Sequence, residues 1–285
     1  MGNIPSSEKV FDFHTHSSAS DGVETPENLV RKAKAKGIRF LALSDHDTIA
    51  GYAAAKAEGE RIGLPILPSL EMDNEYSQEL HILGLGVDPD DPGLKEAMEI
   101  GMDRRRRRNE GMLNNLRKIG IEVYDYIDWS SPGTVTRGNF CRALRDAGYA
   151  KDAGEAFFKY MDKGKPGYYM VERYTPQQTI NIIKKAGGLP TVAHPCHLKG
   201  NIHAAIAELV EMGIGGLEAY YPTSTEGQRD LFLSLANRYG LIVTCGSDFH
   251  GEDRPRNPLG SAWRDVPELE RTWDLFAKRT GLVSY

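Results

Sequence analysis

FDFHTHSSASDG, Phe11 to Gly22, sets two histidines two residues apart at the end of an apolar run, with an aspartate in the loop beyond. Side chains alternate along a strand with period two, so His14 and His16 share one face and can share one ion. KVFDFHTH therefore reads as a strand that ends in a site. Thr25 and Pro26 cap a helix running to Lys36, which Gly37 ends, by the preference for proline just inside a helix and glycine just past it. IRFLALS is the next strand and finishes at SDHD, and a helix over Ala50 to Ile62 leads to LPILPSLEMD, which ends at Glu71.

The same alternation returns later. GLPTVAHP follows a helix that Pro176 starts, GIGGLEAYY follows one near Ile202 to Met212, and GLIVTCGSDFH follows one near Glu226 to Tyr239. Short apolar strands alternating with amphipathic helices predict βα units around a parallel sheet. His14, His16, Asp45, His46, Glu71, His194, Glu218, Asp248 and His250 all fall where a strand gives way to a loop, the edge at which βα barrels build active sites. His81 sits early in its strand instead, and ELHILGLGV is expected to pair with the Glu71 strand as a hairpin. Residues from the first strand and the last must meet, which favours closure over an open sheet. The expected fold is α/β, a distorted (β/α)7-type TIM-like barrel with a helical insertion. Its first part is 1–91 and its second 168–285; between them, 92–167 reads as helices and loops covering one mouth.

A chain of 285 residues, 40% hydrophobic, can bury one large core. A net charge of −5 argues against a general nucleic-acid or anionic-membrane binder. Cys141, Cys196 and Cys245 share no CxxC spacing, so neither a disulfide framework nor a thiolate zinc site is expected, and a reducing cytoplasm fits. No apolar run approaches the ~20 residues of a membrane span. MGNIPSSEK lacks the apolar core of a secretion signal; its match to the loose myristoylation pattern, Gly2 with Ser6, is read as chance. The run Arg104 to Arg108 is read as a solvated helix face with Asp103 and Glu110 as partners, against a phosphate or RNA contact.

One HxH pair is weak evidence of a metal; the company it keeps is stronger. HTHSSASDG, LSDHD, SLEMD, LHILGLGVD, VAHP and GSDFH resemble, in order and type, the motifs of the PHP family, the polymerase and histidinol phosphatase domain. The resemblance runs from His14 to His250 and implies a metal-dependent phosphoesterase with three divalent ions, manganese first, zinc or iron as alternatives. It implies one ion held by His14, His16, Glu71 and Asp248, a second shared through Glu71 with His81 and His194, and a third held by Asp21, His46 and His250. Glu71, Asp248 and His250 are the residues expected to carry catalysis. A hydroxide shared by two of the ions would attack phosphorus in line. Asp12, Asp45 and Asp47 are expected to fix imidazole tautomers from behind.

Relatives of the stand-alone type bind substrate phosphate with basic residues, and Arg137 in TVTRGNF and Lys165 in DKGKPGYY match such positions by context. After VAHP this chain reads CHLKG where some relatives acting on nucleotides carry Gly-Arg, so His197 and Lys199 are the expected replacements. Tyr220 and Tyr221 either stack on or hydrogen-bond a substrate, or pack beneath a loop. The expected substrate is a small phosphorylated metabolite or nucleotide, such as a nucleoside 3',5'-bisphosphate or a cyclic sugar phosphate. A phosphodiesterase or 5'-3' exoribonuclease on short RNA ends is the enzymatic alternative, with a metal-stabilised accessory module and a C–N hydrolase behind it. No protein partner and no membrane is implied.

Overall fold

A computed structural model describes residues 9–130, 133–252 and 254–279. The Gly2–Ser6 pattern lies outside them. Seven strands form one sheet in sequential order: β1 (Phe11–Asp12), β2 (Phe40–Leu43), β3 (Ile66–Asp73), β4 (His81–Leu85), β5 (Leu189–Val192), β6 (Gly216–Tyr220) and β7 (Ile242–Cys245). β1, β2 and β3 run parallel, as do β5, β6 and β7; β4 is antiparallel to both neighbours. The expected hairpin is present, with Glu71 opposite Leu83 and Asp73 opposite His81. The sheet closes where the chain after β1 meets the chain after β7: Phe13 N–H donates to Cys245 O (3.2 Å), Asp248 N–H to His14 O (2.8 Å) and His16 N–H to Phe249 O (2.9 Å). The result is the distorted TIM-like barrel that the alternation predicts.

Helices α1 (Pro26–Ala35), α2 (Tyr52–Ile62), α6 (Pro176–Lys185), α7 (Ile202–Met212), α8 (Glu226–Tyr239) and α9 (Pro267–Arg279) surround the barrel. Local sequence explains their ends. Thr25, Thr175 and Thr225 cap α1, α6 and α8 by accepting a backbone N–H in the first turn, and the glutamine at the third position of α6 and α8 returns a bond to the cap residue's own N–H. α8 ends at Gly240 in the left-handed region (φ 65°), which a side chain would strain. The core is aromatic where β1 begins: the Phe13 ring lies edge-on to Phe40 at 5.0 Å and to Phe276 of α9 at 5.2 Å. The alternation that buries Phe11 and Phe13 on this side turns His14 and His16 to the other.

Between β4 and β5 run α3 (Pro92–Arg117), α4 (Arg137–Asp146), α5 (Ala153–Ala156) and a π turn, Phe157–Met161. The start of α3 packs on the barrel core through Leu94, Ala97 and Met98, while Met112, Leu113 and Leu116 join Phe140, Leu144 and Met161 in a separate cluster. Among the described residues no helix is long and apolar enough to cross a membrane.

Candidate metal centre

The strand ends deliver the histidines to one rim. His14 and His16 follow β1, His46 follows β2, Glu71 lies in β3, His81 opens the antiparallel β4, His194 follows β5, and Asp248 and His250 follow β7. Asp21 enters from the loop after His16. All but His81, which is half-buried, are buried.

Glu71 is the hub. Its Oε1 lies 2.9 Å from His194 Nε2, 3.0 Å from His81 Nδ1 and 3.4 Å from His14 Nε2; its Oε2 lies 3.1 Å from His46 Nδ1 and 3.4 Å from His16 Nε2. His14 and His16 face each other, Nε2 to Nε2, at 3.1 Å. Asp248 Oδ1 is 3.2 Å from the second ring and 3.5 Å from the first. Asp21 Oδ1 is 3.1 Å from His250 Nε2 and 3.9 Å from His46 Nε2. The donor atoms fall into four overlapping sets, each within 4.8 Å: His14, His16 and Asp248; His14, Glu71 and His194; His46, Glu71 and His81; and His16, Asp21, His46 and His250.

Such a cluster does not satisfy itself. His16 Nδ1, Asp21 Oδ1, His46 Nδ1, Glu71 Oε2 and His250 Nε2 are buried without a hydrogen bond. Each such group costs about 1–3 kcal/mol when left unmatched. Cations among them would satisfy several donors at once, and mixed imidazole and carboxylate donors suit manganese, zinc and iron. The residues present fit divalent metal ions. The charges depend on one another: burial pushes the Glu71 carboxyl up, but His46, His81 and His14 outweigh it and hold it well below the ordinary value. Against burial, Glu71 and its neighbouring carboxylates raise His46 to about 10 and also raise His14 and His81, so that protons stand there until cations take their place. Burial, with His250 beside it, pushes His16 down to about 3, leaving a neutral ring with a lone pair to offer.

Three non-glycine residues among those described have positive φ: Asp47 (49°), His194 (26°) and Asp248 (53°). All three stand at this rim, where strain is held by surrounding contacts and aims side chains that relaxed strand ends would not.

The ring-orienting partner of His14 is Glu218 of β6, whose Oε1 accepts from His14 Nδ1 (3.1 Å) while its Oε2 accepts from His194 N–H (2.7 Å). This corrects the role expected of three aspartates. Asp12 accepts backbone N–H groups of His14, Ser247 and Gly260; Asp45 accepts from Ser17 and Ser20; Asp47 accepts from Arg105 Nε at 2.7 Å. Their short side chains brace loops instead of reaching imidazoles.

Beside the cluster opens a cavity of about 350 Å³, lined by Asp21, His46, Asp73 and His81 and by Arg105, Arg108, Arg137, Arg142 and Arg254. Arg137 lies over the Phe157 ring at 5.3 Å. Arg254 approaches Asp248 Oδ2 (3.5 Å) and Asp21 Oδ2 (3.7 Å). Burial, with Arg105 next to it, pushes Arg108 down to about 9. A cation so perturbed gains from an arriving anion.

Of the other expected substrate contacts, the Tyr221 hydroxyl donates to Asp248 Oδ2 at 2.8 Å, and the His197 ring lies 4.7 Å from that of His194. Lys165 and Lys199 are exposed and do not line this cavity. Tyr220 packs in the main core, because β6 breaks register between Glu218 and Tyr220, which offsets the alternation and leaves Tyr221 to reach the site. The arginine run also departs from expectation. Arg106 and Arg107 are exposed and pair with Asp103, but Arg105 is 5% exposed and holds Asp47 and Asp73. Asp73 and Arg254 are therefore site residues that motif spacing does not single out, while the sequence places Glu218 at a strand end without a role and Arg105 and Arg108 in the run read as solvated.

The PHP domain model matches residues 12–116, from the first histidine pair through α3. A 3',5'-nucleoside bisphosphate phosphatase of Chromobacterium violaceum is 32% identical over 267 residues, 91% of this chain and 93% of that protein. The 5'-3' exoribonuclease Rnm of Escherichia coli is 32% identical over 94% of each chain. A solved structure from Bifidobacterium adolescentis, assigned as a metal-dependent phosphoesterase, matches with a TM-score of 0.83 and 28% identity over 94% of this chain and 96% of that one. By its closed seven-strand barrel, its rim of histidines and carboxylates and these similarities, the chain belongs to the PHP domain family of metal-dependent phosphoesterases.

Proposed function

We propose that the chain hydrolyses phosphate esters of a small phosphorylated metabolite or nucleotide, releasing phosphate from a nucleoside 3',5'-bisphosphate with one water, or from a cyclic sugar phosphate with one water that opens the ring and a second that frees the phosphate. The observation that carries the reading is the Glu71 hub, ringed by five imidazoles, opening onto a cavity lined by five arginines. Three divalent ions, manganese first, would be held by His14, His16, Glu71 and Asp248; by Glu71, His81 and His194; and by Asp21, His46 and His250. When bound, such ions acidify a water and neutralise charge developing on phosphate oxygens. Glu71, Asp248 and His250 are the catalytic residues of this reading.

The protein's own groups do the rest. Glu218 keeps the His14 proton on Nδ1, so that Nε2 offers its lone pair. Tyr221, itself accepting from Asn257, ties up Asp248 Oδ2 and leaves Oδ1 toward His14 and His16. Arg137, Arg108 and Arg254 present guanidinium forks matched to phosphate oxygens. The cavity falls within the ~300–1,000 Å³ of small-ligand sites, which favours a mononucleotide-sized substrate. The three free thiols suit the reducing cytoplasm, where we place the protein.

Protein loaded with Mn²⁺ is assayed against a nucleoside 3',5'-bisphosphate, a cyclic sugar phosphate, a short 5'-phosphorylated RNA and an amide. Free phosphate from the bisphosphate is expected, with a KM raised at least about tenfold in Arg137→Ala, as loss of a charge-assisted contact of 1.5–3 kcal/mol requires. A ladder of shortened RNA without phosphate from the mononucleotide would replace this reading by exonucleolytic cleavage.

A further inference from the structure

Asp73 closes β3 two residues after Glu71 and is not in any of the four donor sets. Its Oδ1 lies 3.4 Å from His46 Nδ1 and 3.4 Å from His81 Nε2 and is buried without a hydrogen bond. Its Oδ2 lies 3.1 Å from Arg105 Nη2. Arg105 comes from α3, between β4 and β5, and its Nε donates to Asp47 Oδ2.

The two imidazoles use Asp73 from opposite sides of the centre. His46 turns its other nitrogen, Nε2, toward Asp21 and the set that includes His16 and His250. His81 turns its other nitrogen, Nδ1, toward Glu71 at 3.0 Å. Glu71 Oε2 is nearer His46 Nδ1, at 3.1 Å, but Glu71 already faces the rings of His14, His16, His81 and His194. A neutral imidazole carries one N–H, and a carboxylate behind the ring decides which nitrogen holds it.

We propose that Asp73 is a positioning residue shared by two metal sites: it accepts the N–H of both His46 and His81, directing one ring's lone pair to each site, and Arg105 of α3 holds it in place. The inference rests on the metal-centre reading above. It makes α3 part of the centre: a buried arginine from the segment between β4 and β5 completes the shell behind two ligands that β2 and β4 supply. It also gives Arg105 a reason to be buried within a run whose neighbours Arg106 and Arg107 stay in water. Arg105 bonds Asp47, which follows His46, as well as Asp73, so one guanidinium spans the residues next to two candidate ligands.

The test is Mn²⁺ binding by full-length wild type, Asp73→Asn, Arg105→Lys and Arg105→Met, followed by titration and by elemental analysis after dialysis, with far-UV circular dichroism to verify folding. Asp73→Asn keeps the shape but offers one acceptor oxygen to three donors, so either Arg105 takes it and both rings face the amide N–H, or the rings keep it and Arg105 faces a donor. Loss of a partner behind a ligating histidine typically costs 10–100-fold in metal affinity. The expected result is one class of ion, held by His14, His16 and Asp248, bound as in wild type, and the remainder weakened at least about tenfold in Asp73→Asn. Arg105→Met is expected to approach Asp73→Asn, and Arg105→Lys, which restores the charge, to recover most of the affinity. Unchanged binding of every ion in folded Asp73→Asn overturns the shared role, and unchanged binding in folded Arg105→Met overturns the part assigned to Arg105. Failure of wild type itself to bind Mn²⁺ refutes the metal-centre reading instead, so the two failures are distinct.

Discussion

Glu218→Gln tests how the site holds its first imidazole. Glu218 is fully buried, and its two oxygens accept from two different donors, His14 Nδ1 at 3.1 Å and His194 N–H at 2.7 Å. Glutamine keeps the shape but has one oxygen and one NH2. If the oxygen stays on the His194 amide, the NH2 faces His14 Nδ1, which must give up its proton; the proton moves to Nε2, the nitrogen that lies 3.1 Å from His16 Nε2. If the amide flips, His194 N–H faces a donor instead. The flipped form leaves a buried donor unmatched and the other loses the bond from His14 to a buried carboxylate, each about 1–3 kcal/mol of stability. At roughly 2–4 °C per kcal/mol for a large domain, melting of the metal-free protein should fall by about 2–12 °C. The first arrangement also blocks His14 as a ligand, so metal affinity should fall about 10–100-fold. Differential scanning fluorimetry of metal-free protein and a Mn²⁺ titration measure both. A variant with unchanged melting temperature and unchanged Mn²⁺ affinity would refute the reasoning, because it would mean that neither oxygen of Glu218 is committed as the geometry requires.

Two further predictions concern the scaffold. A Cβ on Gly246 would lie 2.1 Å from His14 Cβ and 2.3 Å from Glu218 Oε1, so Gly246→Ala should lower stability by at least about 1–3 kcal/mol and displace His14, whereas Gly227→Ala on α8, with nothing within 4 Å, should be neutral or stabilising; paired melts decide. Glu58, held by Arg61 and Arg31, is depressed to about 2. A depressed carboxylate contributes stability above its unfolded pKa that is lost as pH falls through the folded one. Glu58→Gln should therefore melt below wild type at neutral pH, with the gap closing between about 4.5 and about 2, and a gap that persists at the acid end would contradict the pairing.

The residues that could be read from the sequence were those whose role follows from strand periodicity and from their place at strand ends. His14 and His16 share a side because they are two apart, and Asp248 meets them because a barrel brings its first and last strands together. The antiparallel β4 follows from His81 standing early in its strand while Glu71 stands late in the one before. Glu218 stood at a strand end as well, but its bond to His14 spans 204 positions, and periodicity tells which side a residue faces, not which partner waits there. Tyr220 went astray for a local reason, the register break in β6, which no alternation rule foresees. Arg105 was hidden by its neighbours' charge. Its phase was legible all the same: Leu94, Met98, Gly101, Arg105, Asn109, Met112 and Leu116 form one buried stripe at intervals of three and four along α3, and Arg105 lies on it. Five arginines in a row read as solvent only while that stripe is ignored. Lys165 was singled out by context alone, with no periodicity to place it, and it is exposed away from the cavity.

The central claim is that the Glu71 hub holds divalent ions and that hydrolysis depends on them. Its most direct measurement is the number of Mn²⁺ ions bound per chain, by elemental analysis, taken in parallel with phosphate release from a nucleoside 3',5'-bisphosphate in wild type and in Asp248→Asn. The account predicts up to three ions per wild-type chain, phosphate release that disappears on chelation and returns with Mn²⁺, and a folded Asp248→Asn that has lost both activity and tight binding at the His14 and His16 site. Phosphate release that persists in fully metal-free protein would contradict it.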